Sequence, residues 1–71
     1  MDEIQYTYMR VADAVEAEIR SGRLPKGARL PNERDLAAQH GVAPGTARRA
    51  VRELRDRDLV TTLPNKGTFV R

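Results

Sequence analysis

The sequence contains no cysteine, so neither a disulfide framework nor a thiolate metal site can form. No apolar run approaches the roughly 20 residues that span a bilayer, and the polar N-terminus MDEIQYTYMR lacks the pattern of a signal peptide. The 71 residues allow one small domain, which buries only about 60% of its unfolded surface. We therefore expect a cytoplasmic chain with no membrane partner and no deep substrate cavity.

Residues suited to catalysis are equally scarce. His40 is the single histidine and lies at a predicted helix end, where a structural role is expected. Ser21 is the only serine and lacks a nucleophile-elbow context, while Glu33 and Asp35 point to different faces of a helix. No GxGxxG loop is present. The sequence thus predicts no enzyme, no catalytic residue, no cofactor and no metal ligand.

Positive charge is concentrated in the second part of the chain. The formal net charge is +3. Residues 1–43 carry six basic and seven acidic side chains, whereas residues 44–71 carry seven basic and three acidic ones. A basic C-terminal part predicts a polyanionic partner.

Apolar spacing and capping residues predict three helices. They cover about residues 7–21, 33–40 and 44–57. Asn32 is suited to cap the second helix, and Pro44 fits the first position of the third. The predicted core faces consist of Ile4, Tyr8, Val11, Ala12, Val15 and Ile19, then Leu36 and Ala37, then Ala47, Ala50, Val51 and Leu54.

The remaining segments predict a small β component. RLPKGARLP reads as a turn with inward leucines and a short strand near Arg29. LVTTLPNKGTFVR, residues 59–71, has two β-prone runs around a basic turn, which predicts a hairpin with Val60 and Phe69 reaching the core. The fold class is therefore mainly α with a small β-hairpin: a winged helix-turn-helix of three helices plus a wing, forming one domain over residues 1–71.

The stretch GTARRAVREL places a basic surface at the start of the third helix. Small residues at Pro44 and Gly45 allow a helix N-terminus to approach a DNA major groove closely. Thr46 suits a phosphate or a thymine methyl group, and Arg48 and Arg49 carry the fork that reads guanine O6 and N7. These residue types predict a DNA-binding helix.

Further cations extend this predicted surface. Arg52 and Arg55 lie further along the helix and suit phosphates, and Lys66 at the hairpin tip suits an adjacent groove or the backbone. A plainer interpretation is surface pairing at i, i+4 spacing, between Arg49 and Glu53 and between Arg52 and Asp56. Such pairs would not explain why arginine, glycine and proline gather at one helix end.

Two other binding classes compete with DNA. A winged helix can serve as a protein-interaction module, with its arginine face on an acidic partner. RNA is a weaker alternative, because no exposed aromatic pair is predicted at the basic surface, Tyr6 and Tyr8 being at the far end. A homodimer on an inverted-repeat operator is also compatible with the sequence.

The stretch LPNERDLAAQHGVAPGTARRAVRELRDRDLVTTLPNKGTFV resembles the N-terminal winged-helix DNA-binding domain of the GntR family of bacterial transcription regulators. The preceding VADAVEAEIRSGRLPKGARLP resembles the first helix of that family, so the resemblance covers about Tyr8 to Val70. The family pattern is roughly LPSERELA, then GVSRTTVREALRRLEAEGLV, then GRGTFV. The resemblance implies a transcription regulator, which we expect to be a repressor that binds double-stranded DNA. It also implies DNA contacts by Arg34 in the second helix and by Thr46 and Arg48 in the third, the recognition helix. In the wing it implies contacts by Lys66, Gly67 and Thr68.

The chain departs from the family pattern at several positions. Ala43 and Pro44 replace a serine and an arginine, which removes a helix cap and a groove arginine. Arg49 stands where the family often has glutamate, so base reading is expected to shift by one residue. Asp58 replaces a glycine that usually ends the third helix. Because family members normally carry a C-terminal effector-binding and dimerisation domain, we expect either an excised DNA-binding domain or a natural single-domain member.

Overall fold

The computed structural model describes the backbone of residues 3–71 and the side chains of residues 7–71. The predicted order of elements is confirmed: helices α1 (Glu3–Ser21), α2 (Glu33–His40) and α3 (Pro44–Asp56) precede strands β1 (Val60–Leu63) and β2 (Gly67–Val70). Helix α1 begins four residues before its predicted start, in a stretch without glycine or proline to stop it. The roles expected for Ile4 and Tyr6 fall outside the described side chains. No helix in the described part of the chain combines the length and apolar character needed to cross a membrane.

The helix ends follow the capping residues in the sequence. The Asn32 side chain accepts a hydrogen bond of 2.9 Å from the Asp35 backbone N–H and so satisfies the first turn of α2. Gly41 ends that helix in the left-handed conformation with φ 66°. Ala43 precedes α3 without a side-chain cap, as expected from its methyl group. Asp58 adopts φ 63°, the conformation that the family pattern assigns to glycine.

The core forms where α1, α2 and the hairpin pack against α3. Ala47 and Ala50 of α3 are completely buried, and their small side chains allow neighbouring elements to approach closely. Tyr8 of α1 is half-buried against the core. The buried set is Val11, Ala12, Val15, Leu30, Leu36, Ala37, Ala47, Ala50, Val51, Leu54, Val60 and Val70.

The hairpin contributes two valines to the core. Strands β1 and β2 are antiparallel, with Val60 opposite Val70 and Thr61 opposite Phe69. Val60 is buried as predicted, but the prediction that Phe69 reaches the core is wrong, because Val70 occupies that place and Phe69 is only half-buried. Successive side chains of a strand point to opposite faces, so only one of the two can face inward.

The segment before α2 pairs with β2 through a single bridge, outside the two-stranded sheet. Arg29 forms an isolated antiparallel bridge with Phe69, where a short strand was predicted. The Leu30 N–H donates to the Thr68 carbonyl and the Val70 N–H donates to the Ala28 carbonyl, both at 2.8 Å. These bonds attach the wing to the N-terminal side of α2.

Candidate nucleic-acid interface

The front of α3 exposes helix backbone. Pro44 and Gly45 are exposed in the first turn, and a Cβ atom added at Gly45 would meet no heavy atom within 4 Å. Thr46 is half-buried and its backbone N–H donates to the Ala43 carbonyl at 3.0 Å. Since internal packing does not require glycine at position 45, the bare backbone is accessible to an external partner.

Three arginines surround this exposed backbone. Arg48, Arg49 and Arg52, together with Gly45, line an open cleft of about 290 Å³, which we call the α3 cleft. All three arginines are exposed. The structure thus brings together four of the residues that the sequence predicted as DNA contacts.

Arg48 is held by a carboxylate on the neighbouring helix. Its Nε atom lies 3.1 Å from Oε1 of Glu33, and both side chains remain largely exposed, at 63% and 45%. This pair leaves both terminal amino groups of the guanidinium available. Sequence reasoning missed it, because 15 positions separate the two residues and no local pattern joins them.

Arg49 lies on an aromatic ring of α1. Its Cζ atom is 4.4 Å from the centroid of the Tyr8 ring. The expectation that Tyr8 lies at the far end from the basic surface is therefore wrong, because the packing of α1 on α3 brings this ring beside Arg49. The alternative pairing with Glu53 is not formed, since that carboxylate accepts a hydrogen bond of 2.9 Å from Nε of Arg57. Among the described residues, Arg52 likewise forms no ion pair with Asp56 or with any other side chain.

A second cleft lies between the N-terminus of α2, α3 and the wing. It has a volume of about 570 Å³, and we call it the wing cleft. Arg34 lines it and has no ion-pair partner within residues 7–71. Glu33 also lines the wing cleft, so its pair with Arg48 marks the boundary between the two clefts. The full lining is Arg29, Leu30, Pro31, Asn32, Glu33, Arg34, Asp35, Val51, Arg55, Thr62, Gly67 and Thr68.

The wing orients two further arginines. Nη1 of Arg55 donates to Oγ1 of Thr62 at 2.8 Å, and that hydroxyl lies 2.9 Å from Oγ1 of Thr68. The side chain of Arg29 lies against Gly67, since a Cβ atom there would be 2.6 Å from its Nε atom. Sequence reasoning missed Arg29, because its place depends on the strand pairing. Lys66 is exposed in the hairpin turn, as predicted.

Two acidic side chains of α1, Asp13 and Glu16, bind a separate cluster centred on Arg57. Its guanidinium binds Asp13 at 2.9 Å, Glu16 at 2.8 Å and Glu53 at 2.9 Å. Hydrogen bonds donated by Arg20 and then by Arg57 lower the pKa of Glu16, and the hydrogen bonds that Arg57 donates to Glu53 and Glu16 raise the pKa of Arg57. The Arg57 cluster joins α1 to α3 and does not use the arginines of the two clefts.

Comparisons with known proteins agree with this geometry. A model of the family described as bacterial regulatory proteins, gntR family, matches residues 7–70. The HTH-type transcriptional regulator SmoD of Agrobacterium fabrum is 39% identical over 64 residues, which cover 90% of this chain and 27% of that protein. The histidine utilization repressor of Klebsiella aerogenes is 41% identical over 63 residues, which cover 89% of this chain and 26% of that protein.

Solved structures share the architecture. The crystal structure of AraR(DBD) in complex with operator ORX1 matches with a TM-score of 0.86 at 29% identity, covering 92% of this chain and 78% of that chain. Three helices with a two-stranded antiparallel hairpin confirm the winged-helix prediction. The chain spans about a quarter of the length of the two curated relatives named above. On the family match over residues 7–70 and these relatives, the chain belongs to the gntR family of bacterial regulatory proteins.

Proposed function

We propose that this chain binds double-stranded DNA in a sequence-dependent manner as part of a bacterial transcription regulator, acting as a repressor. The observation that carries the proposal is the α3 cleft, in which three exposed arginines surround a bare helix N-terminus. The operator complex of AraR(DBD) and the repressor name of the Klebsiella relative support it. The role is binding rather than catalysis, in agreement with relatives named as regulators.

Helix α3 enters the major groove in this proposal. The terminal amino groups of Arg48, left available by Glu33, read the O6 and N7 acceptors of guanine. Arg49 reads a neighbouring base edge, and Thr46 with the exposed backbone at Pro44 and Gly45 sets the approach of the helix. The small residues at its front permit the close contact that base reading requires.

The wing cleft receives the phosphate backbone. Arg34 and Arg29 contribute positive charge on the α2 side of this cleft, and Arg55 contributes it from α3. Arg52 binds an adjacent phosphate from the α3 cleft. Lys66, with Gly67 and Thr68, contacts the neighbouring groove or backbone from the wing. Phosphate contacts of this kind fix the orientation of a protein on the duplex and carry no sequence information themselves.

We also propose the domain organisation, the number of copies on DNA and the cellular location of the protein. Residues 1–71 fold as one domain, which a single cooperative thermal transition would support. Two copies bind together on an inverted repeat, and a DNA partner places the protein in the cytoplasm. No cofactor or metal is needed for these contacts.

The decisive experiment is selection of bound duplexes from a random-sequence DNA pool at near-physiological salt. We expect enrichment of a short motif, arranged as an inverted repeat if two copies bind. A parallel selection from single-stranded RNA serves as the control for nucleic-acid class. Enrichment of RNA alone, or salt-sensitive retention of DNA without any motif, contradicts the proposal.

A further inference from the structure

We propose that Tyr8 of α1 is a positioning residue that holds Arg49 in the α3 cleft for reading a base. This inference rests on the proposed DNA-binding function. The Cζ atom of Arg49 lies 4.4 Å from the centroid of the Tyr8 ring, within the range of a cation–π contact. The same arginine lines the α3 cleft beside Gly45, Arg48 and Arg52. One side chain thus joins α1 to the predicted base-reading surface.

Stacking leaves the reading edge of the guanidinium available. A cation–π contact occupies none of the N–H donors of the guanidinium, which lie in the plane of that group. Within the described residues, Arg49 has no hydrogen bond or ion pair that would occupy those donors. The ring therefore restricts the orientation of the fork without competing for its hydrogen bonds.

The Tyr8 ring is held by its packing against the core. Tyr8 is half-buried and packs against the core, which restricts the positions open to its ring. The carboxylate with i, i+4 spacing, Glu53, is bound to Arg57 and does not draw Arg49 along the helix. Base reading by Arg49 therefore depends on a residue of α1 that does not belong to the helix-turn-helix.

The test uses the duplex enriched by selection and a set of duplexes that each differ from it at one base pair. Binding is measured for the unmodified chain, Tyr8→Phe, Tyr8→Leu, Arg49→Ala and the double variant Tyr8→Leu/Arg49→Ala. Tyr8→Phe keeps the ring, whereas Tyr8→Leu removes it and keeps an apolar side chain against the core. Thermal unfolding of each variant accompanies the binding series.

We expect Arg49→Ala to relax preference at one base pair. Tyr8→Leu should reduce discrimination at that same base pair by about two- to fivefold, the effect of one exposed cation–π contact. Tyr8→Phe should match the unmodified chain, and Tyr8→Leu should have no further effect on discrimination once Arg49 is alanine.

Three results overturn the inference. Arg49→Ala could leave every base preference unchanged, Tyr8→Leu could act equally with and without Arg49, or Tyr8→Phe could behave like Tyr8→Leu. The second would show that Tyr8 acts through the fold, and the third that its hydroxyl is what matters. Failure of the proposed function is distinguishable, since the unmodified chain would then show no base preference at all.

Discussion

At the scale of single residues, the arginines of the interface differ in how far they are already ordered. Arg48 is held by Glu33 and Arg49 by Tyr8, whereas Arg34 and Arg52 have no ion-pair partner in the described part of the chain. Immobilising a rotamer-rich side chain at an interface costs about 0.5–1.5 kcal/mol. The two arginines held by a neighbour lose less of this freedom on binding and are suited to base reading, while the two without an ion pair suit phosphates, whose positions tolerate more variation.

Replacing Arg48 with alanine should weaken binding to the selected duplex by about 1–3 kcal/mol and relax preference at one base pair. The physical reason is loss of a bidentate donor aimed at a base edge. Fluorescence anisotropy with single-base-pair variants of the duplex measures both effects. Arg23→Ala is the matched control, since it removes an exposed arginine from the loop after α1. Unchanged binding by Arg48→Ala would show that α3 is not placed in the groove as proposed.

Gly45→Ala should separate stability from binding. Because an added Cβ atom meets nothing within 4 Å, alanine should raise the free energy of unfolding by up to about 0.5–1 kcal/mol through its higher helix propensity. The same methyl group should weaken specific DNA binding, since it stands between the backbone and the groove. Urea unfolding and duplex titration measure the two effects. A variant that is more stable and binds equally well would show that the DNA does not approach this part of α3.

At the scale of elements, the wing positions Arg29 through its glycine. Gly67 has φ 126°, a region that side chains rarely adopt, and its missing Cβ leaves the space that the Arg29 guanidinium occupies. Strand pairing through the Arg29–Phe69 bridge fixes this arrangement. The wing therefore shapes the wing cleft as well as contributing its own side chains.

Gly67→Ala should destabilise the chain by about 1–3 kcal/mol and displace Arg29 from the wing cleft, which weakens DNA binding. Gly22→Ala provides the control for backbone strain alone, because Gly22 has φ 89° with no atom within 4 Å of the added Cβ. Chemical unfolding and duplex titration of both variants are compared. If the two substitutions affect binding equally, the contact between Arg29 and Gly67 has no role in the interface.

Local sequence signals predicted the elements well, but not the contacts between them. The Asn32 cap and Gly41 defined α2 at both ends, because capping acts within a few residues. The prediction that Phe69 reaches the core was wrong, and Val70 is buried instead. Both residues are apolar, and only the strand pairing decides which of them faces inward. The Glu33–Arg48 and Tyr8–Arg49 contacts join distant segments, so helical spacing alone contains no information about them.

The Arg57 cluster should make stability depend on acidic pH. Hydrogen bonds from Arg20 and Arg57 lower the pKa of Glu16 from its usual value of 4.5. The stabilising contribution is therefore present above about pH 4.5 and is lost as the pH falls through the lower pKa of the folded state. Glu16→Gln should be less stable near neutral pH and should converge with the unmodified chain in acid. Urea unfolding across this range checks it, with Glu18→Gln as the control. Parallel curves for Glu16→Gln and the unmodified chain would contradict the assignment.

At the scale of the whole molecule, positive charge is available mainly where the two clefts lie. The acidic residues of α1 at Asp13 and Glu16 are bound to Arg57, so they do not neutralise the cleft arginines. An uneven distribution of charge orients a protein as it approaches a polyanion and raises the association rate. Under the proposed function, the arrangement favours encounters in which the front of α3 faces the duplex.

Binding should therefore fall steeply with salt. If Arg29, Arg34, Arg52, Arg55 and Lys66 each neutralise one phosphate, the logarithm of the binding constant should fall with the logarithm of salt concentration with a slope of about −4 to −5. Arg34→Ala should make that slope shallower by about 1, and Arg48→Ala should change it less. Titrations at four or more salt concentrations measure the slopes. Equal slopes for Arg34→Ala and the unmodified chain would remove Arg34 from the phosphate contacts.

The two faces of α3 allow the domain to change its target without losing its fold. Ala47, Ala50, Val51 and Leu54 are buried, while the intervening Arg48, Arg49 and Arg52 are exposed. Substitution at the exposed positions leaves the packing of α1 and α2 on this helix intact. Under the proposed function, a few substitutions at these positions would change base preference and remain compatible with folding. Position 49, where this chain has arginine and the family pattern often has glutamate, is one such exposed position.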